Sequence, residues 1–133
     1  MKKLNKILDR VKRLLILFRM LITRDGWKKA EWMKKHKIFY HMGEHCYYHP
    51  YILPAEPSLV YLHDNVVIST GVRFVTHSAA WCVFRQEDKE NRYIFRKGKI
   101  EIHSNVYIGA DAIINYDVTI GENSIIAAGA VVT

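Results

Sequence analysis

The 133-residue chain has only two cysteines, Cys46 and Cys82. That excludes a disulfide framework and fits a reducing cytosol. It also lacks a long apolar run. The longest, Leu14–Ile22, is nine residues interrupted by Arg19, far short of the roughly 20 that span a bilayer. No small-residue cleavage site follows it, since Thr23-Arg24-Asp25-Gly26-Trp27 come next. The N-terminus is therefore expected to be retained, and the protein to be cytoplasmic. Hydrophobic residues are not scarce: they make up 50% of the chain against 25% charged, which excludes a disordered polymer. A mass of 15.6 kDa leaves room for one main domain.

Acidic residues are the under-represented charge, with a formal net charge of +7. Nucleic-acid binding is the first class such a balance raises. The distribution argues against it. Residues 1–37 hold 13 Lys/Arg against three acids, Asp9, Asp25 and Glu31, for +10. Residues 38–133 hold seven against ten, for −3. The excess belongs to one N-terminal segment, the body is mildly acidic, and no stacking platform for bases is evident. No nucleic acid is expected as a partner.

That segment reads as an amphipathic helix. Leu4, Ile7, Leu8, Val11, Leu14, Leu15, Phe18, Leu21 and Ile22 fall at i, i+3, i+4, i+7 spacing, with Lys2, Lys3, Lys6, Arg10 and Arg13 on the other side. Asp25 is placed to cap a second short helix carrying Trp27, Ala30 and Met33. The stripe has two readings. Packing on the main domain or on another subunit is the usual fate of such a face. Peripheral membrane contact through residues 2–22 is the other, and Ile16, Leu17 and Met20 widen the apolar surface in its favour.

From residue 38 onward the chain repeats every six residues. The C-terminal frames begin at Ile102, Ile108, Ile114, Ile120 and Ile126, with Val106, Ala112, Val118, Ser124 and Ala130 in fifth place. Earlier frames begin at Met42 and Tyr48, then, two residues out of phase, at Leu62, Ile68 and Phe74. The phase slip places an insertion around Pro54–Tyr61. A second insertion, at about 81–99, is polar and mixed in charge from Gln86 to Lys99 and projects as a loop. One short strand and one turn per hexad gives three flat faces per 18 residues. The aliphatic first positions then stack inside a prism, and small fifth positions fit its corners. Asn, Asp and Gly between them supply turns with unusual backbone angles.

The stretch Val106-Tyr-Ile-Gly-Ala-Asp-Ala-Ile-Ile-Asn-Tyr-Asp-Val-Thr-Ile-Gly-Glu-Asn-Ser-Ile-Ile-Ala-Ala-Gly-Ala-Val-Val-Thr133 resembles the hexapeptide-repeat acyltransferases, and within them the galactoside, maltose and capsule-polysaccharide O-acetyltransferases. The resemblance covers about residues 38–133. It implies a mainly β fold, a left-handed parallel β-helix, here preceded by N-terminal α-helices in residues 1–37. It also implies acetyl-CoA as acyl donor, no metal, a sugar or glycan hydroxyl as acceptor, and a homotrimer with active sites between subunits. A prism this thin buries little apolar surface alone, which agrees with a trimer. Relatives commonly continue past the position of Thr133 with a basic residue and an extension. This leaves two expectations, a shortened C-terminus or an open cofactor groove.

Acyl transfer to a hydroxyl needs a base and a held thioester carbonyl. Among seven histidines, His77 stands where the hexads stop and an irregular, Trp-bearing stretch begins, the rim position at which a cleft forms. The resemblance gives the same residue the general-base role, although Ser78-Ala79 replace the Asp-Gly usual in capsule-type relatives. It assigns the cofactor groove to Ala110, Ala128 and Thr133, whose small side chains let a pantetheine arm approach the backbone. It assigns the acceptor to Glu56, and Trp81 is available to stack on a sugar ring.

Two other readings remain open on the same fold. One is a non-catalytic scaffold. The other is a zinc-dependent, carbonic-anhydrase-like enzyme, raised by the His41, His45, Cys46, His49 cluster. In the hexad frame Cys46 points inward while His45 and His49 occupy turns, so the four are not expected to converge on a metal.

Overall fold

The computed structural model describes every residue except Met1, Lys89 and Asn91. The side chains of Lys2, Lys3 and Leu4, counted above on the N-terminal helix, also lie outside the described ones. Two helices lead the chain, α1 (Lys2–Ile22) and α2 (Gly26–Lys35). The Asp25 carboxylate caps α2, accepting from the backbone N–H of Trp27 at 2.9 Å and Lys28 at 3.1 Å, two donors a helix start otherwise leaves unpaired.

The body then coils four times. The first coil has β1 (His41–Met42) and β2 (Tyr47–Tyr48) but no third strand. The second has β3 (Val60–Leu62), β4 (Val66–Ile68) and β5 (Arg73–Val75). A short hairpin of β6 (His77–Ser78) and β7 (Arg96–Lys97) interrupts it, with α3 (Trp81–Phe84) between its strands. The third coil holds β8 (Ile100–Ile102), β9 (Val106–Ile108) and β10 (Ile113–Asn115). The fourth holds β11 (Thr119–Ile120), β12 (Ile125–Ile126) and β13 (Val131–Val132). Like strands stack in parallel into three faces, β1-β3-β8-β11, β2-β4-β9-β12 and β5-β10-β13.

Register explains why six residues suffice. Met42, Leu62, Ile102 and Ile120 fall in one column; Tyr48, Ile68, Ile108 and Ile126 form the second; Phe74, Ile114 and Val132 form the third. Most of these side chains are fully buried, and each such aliphatic contributes roughly 1.5–3 kcal/mol. Corners follow a second rule. The fourth hexad residue takes the left-handed conformation, at Asn65, Asn105, Asp111, Asp117 and Asn123 and at Gly71 and Gly129. Asn and Asp tolerate it through local hydrogen bonding, and Gly has no Cβ to clash. At one corner the asparagines form a ladder, Asn65 donating to Asn105 at 2.9 Å and Asn105 to Asn123 at 3.1 Å.

The apolar stripe of α1 does not pack on this body. Ile16, Leu17 and Met20 do, and the stripe residues from Ile7 to Ile22 stay exposed. At 100° per residue, positions 13, 16, 17 and 20 share one face and positions 7, 11, 14, 18 and 21 the opposite one. Residues that looked like a widening of the stripe are thus a separate docking face.

Candidate active site

Both interruptions of the repeat lie at the β5 face. The missing third strand of the first coil is replaced by residues 49–59, which contain all three prolines of the chain, Pro50, Pro54 and Pro57. Proline offers no backbone donor to a ladder, so this segment crosses the face without pairing. Its carbonyls are held by cations from the helices instead. Lys29 Nζ donates to the carbonyls of His49 at 2.8 Å and Pro50 at 3.2 Å. Arg13 donates to those of Leu53 at 3.1 Å and Pro54 at 3.0 Å. Lys29 is almost fully buried and lies 3.7 Å from the centre of the Tyr51 ring; burial pushes its ammonium down to about 8.

This arrangement delivers Glu56 to the end of β5. The Glu56 N–H donates to Thr76 Oγ1 at 3.3 Å, and that hydroxyl donates back to Glu56 Oε2 at 2.5 Å. The same Oε2 lies 3.0 Å from His77 Nδ1. Burial raises the Glu56 pKa, but the hydrogen bonds from Thr76 and His77 and the charges of His77 and Lys97 outweigh it. The net result lies below the ordinary carboxylate value. An ionised carboxylate only accepts, so it holds the proton on Nδ1 and leaves the Nε2 lone pair free.

His77 lines a cavity of about 270 Å³ with Tyr48, Leu53, Pro54, Phe74 and Thr76. Phe95 covers the imidazole from the insertion, ring centres 5.2 Å apart. The projecting stretch, expected at about 81–99, is bounded by the β6–β7 hairpin, because His77 pairs with Lys97 and Ser78 with Arg96. A half-exposed imidazole, a fixed carboxylate behind it and an apolar cavity in front can accept a proton from a bound hydroxyl.

The other sequence-derived residues separate into two groups. Ala110 and Ala128 meet at the corner before the β5 face, where the Gly129 N–H donates to the Ala110 carbonyl at 2.8 Å. A Cβ on Gly109 would stand 2.5 Å from the Ala128 nitrogen, so this corner admits no larger residue. Thr133 follows β13 on the same face as β5, two strands away. Trp81 does not line the His77 cavity. It packs edge-on to Phe95 at 6.3 Å, under the Arg85 guanidinium at 4.8 Å, because the insertion folds its aromatics on one another.

The His41, His45, Cys46, His49 cluster does not assemble. Cys46 is buried, its thiol directed to the His63 carbonyl at 3.2 Å, and burial raises its pKa. Among the described residues the group close enough to share an ion is His63, Glu101 and His103, with ligand atoms within 4.8 Å of one another. The Lys99 ammonium already occupies that carboxylate at 2.6 Å. With the His63 hydrogen bond it holds Glu101 down to about 2. Sequence reasoning missed Thr76, Phe95, Lys97 and Arg13. Thr76 carried a signal as the neighbour of His77; the other three depend on how the interruptions fold back.

Residues 99–133 match the bacterial transferase hexapeptide (six repeats). Those residues carry the hexapeptide transferase repeat. It is 34% identical over 93 residues to the galactoside O-acetyltransferase of Escherichia coli (strain K12), a match spanning 70% of this chain and 44% of the relative. It is 40% identical over 65 residues to the protein CapG of Staphylococcus aureus, spanning 49% of this chain and 36% of that one. The chain thus spans less than half the length of these family relatives. Its fold is like that of a hexapeptide-repeat containing acetyltransferase of Vibrio cholerae, with a TM-score of 0.53 at 20% identity over 93% of this chain and 78% of the other.

Proposed function

We propose that the chain forms the catalytic core of an O-acetyltransferase that moves an acetyl group from acetyl-CoA to a hydroxyl of a sugar or glycan. The observation that carries this reading is the Glu56–His77 hydrogen bond of 3.0 Å, with His77 lining the cavity. Nε2 of His77 takes the proton of the acceptor hydroxyl as its oxygen attacks the thioester carbonyl carbon. The resulting imidazolium is stabilised by the Glu56 carboxylate. When the C–S bond breaks, the thiolate of CoA takes that proton and leaves as the free thiol. Glu56 is therefore a positioning residue for His77 rather than the acceptor-binding residue of the initial expectation. Ala110, Ala128 and Thr133 would line the pantetheine groove. The reading includes a left-handed coil and a homotrimer whose neighbouring prism completes that groove. No step of it uses a metal ion.

The test is acetyl transfer by the full chain from acetyl-CoA to a panel of mono- and oligosaccharides, followed by mass spectrometry. His77→Ala is expected to lower transfer about 10³-fold while far-UV circular dichroism and solution size stay unchanged. Near wild-type turnover in that variant would overturn the reading.

A further inference from the structure

We infer that α1 is an interfacial helix that seats the protein on an anionic membrane surface. Among the described residues no helix is long and apolar enough to cross a bilayer, so the helix would lie along the surface. Its body-side face is already satisfied: Met20 is buried, Ile16 and Leu17 pack on the core, and Arg13 is held by the carbonyls of residues 53–55. The opposite face is not. Leu14, Leu15, Phe18 and Leu21 each leave more than 60% of their surface exposed, and Ile7, Leu8, Val11 and Ile22 continue the same stripe. Large side chains in one contiguous patch on a soluble surface mark a contact site.

Charge selects the occupant. The stripe also fits a self-associating seam, since Ile7, Leu14 and Leu21 recur every seven residues, as do Leu8, Leu15 and Ile22. A seam between copies needs complementary flanking charges. Here the residues bordering the stripe are Arg10 on one side and Lys12 and Arg19 on the other, while Lys6 and the acid Asp9 fall on the body-side face, so a second copy would bring cation to cation. The stripe covers more than a third of the helix circumference, by about 100° per residue, which is wide for a seam. An apolar face bordered by cations is the pattern that inserts among lipid tails while Lys and Arg reach anionic headgroups. This inference stands apart from the acyl-transfer reading, since membrane seating is read without turnover.

The experiment is co-sedimentation of the full chain with vesicles of phosphatidylcholine alone and with about 30% phosphatidylglycerol. Binding to the anionic vesicles is expected to be at least tenfold stronger and to weaken as salt is raised. The double variant Leu14→Glu/Phe18→Glu alters exposed residues only, so its circular dichroism is expected to match wild type while binding falls at least tenfold. Lys12→Glu/Arg19→Glu, which keeps the apolar stripe, is expected to lose binding to anionic vesicles selectively. Equal binding to both vesicle types would overturn the inference. So would undiminished binding by the stripe variant, or a shift of that variant to a smaller species in size-exclusion chromatography with light scattering, which would make the stripe a contact between copies.

Discussion

The third and fourth coils differ from the two segments that interrupt the first and second in what holds them together. The coils are held by columns of Ile and Val and by ladders between neighbouring strands. Residues 49–59 have no strand partner and are held by Lys29 and Arg13 reaching in from the helices. The insertion after β6 is held by aromatic contacts and by the buried Asp88 carboxylate, which accepts from Arg92 at 3.1 Å and from the Tyr93 N–H at 2.9 Å. The catalytic candidates sit only in the second kind of structure. The coils also set an imidazole beside a carboxylate, His63 against Glu101 at 3.0 Å, but Lys99 sits on that same carboxylate; in the pair formed at the interruptions the imidazole lines a cavity.

The comparison can be broken first at the columns. Ile108 is fully buried between Ile68 and Ile126, and Ile108→Ala is expected to cost about 3 kcal/mol in chemical denaturation through lost burial and a cavity. A cost below about 1 kcal/mol would show that the columns are not what hold the coils. The second test falls on Lys29. Burial holds its pKa at about 8, below the ordinary lysine value of 10.5, so the folded chain binds fewer protons than the unfolded chain between those values. Stability from this group is therefore lowest below about pH 8 and rises towards about pH 10.5, by up to about 3 kcal/mol. The pH slope of the unfolding free energy is expected to be steeper in wild type than in Lys29→Met over that window.

A third test separates site from scaffold. Glu56→Gln keeps shape but removes the charge, and is expected to lower kcat roughly 10- to 100-fold with the KM for acetyl-CoA and the melting temperature little changed. A rise in the KM for the acceptor with kcat unchanged would return Glu56 to an acceptor-binding role. The smallest effect belongs to the corners. Asn105 takes a left-handed conformation and sits mid-ladder, so Asn105→Ala is expected to cost about 1 kcal/mol and leave turnover intact.

How much was legible in the chain follows the same division. The hexad reading reaches the inward columns and the turn residues because each is a local consequence of six consecutive positions. His77 was legible because it marks the end of the pattern, and Glu56 because it stands in the phase slip. Their partnership was not, since it depends on a proline-bearing segment crossing a face with no strand to fix its register. Trp81 shows a different limit: an aromatic at a rim invites a stacking role, and its contacts with Phe95 and Arg85 within the insertion depend on how that segment folds back. In α1 the periodicity revealed apolar residues on both sides but not which side the body takes. That choice rests on Ile16, Leu17 and Met20 meeting the core.

The most direct test of the Glu56–His77 account is the side-chain ¹⁵N spectrum of His77 at a pH where the imidazole is neutral. The account predicts a proton on Nδ1 and a bare, pyridine-like Nε2, with that preference weakened in Glu56→Gln. An Nε2-protonated imidazole, or a spectrum indifferent to Glu56, would contradict it.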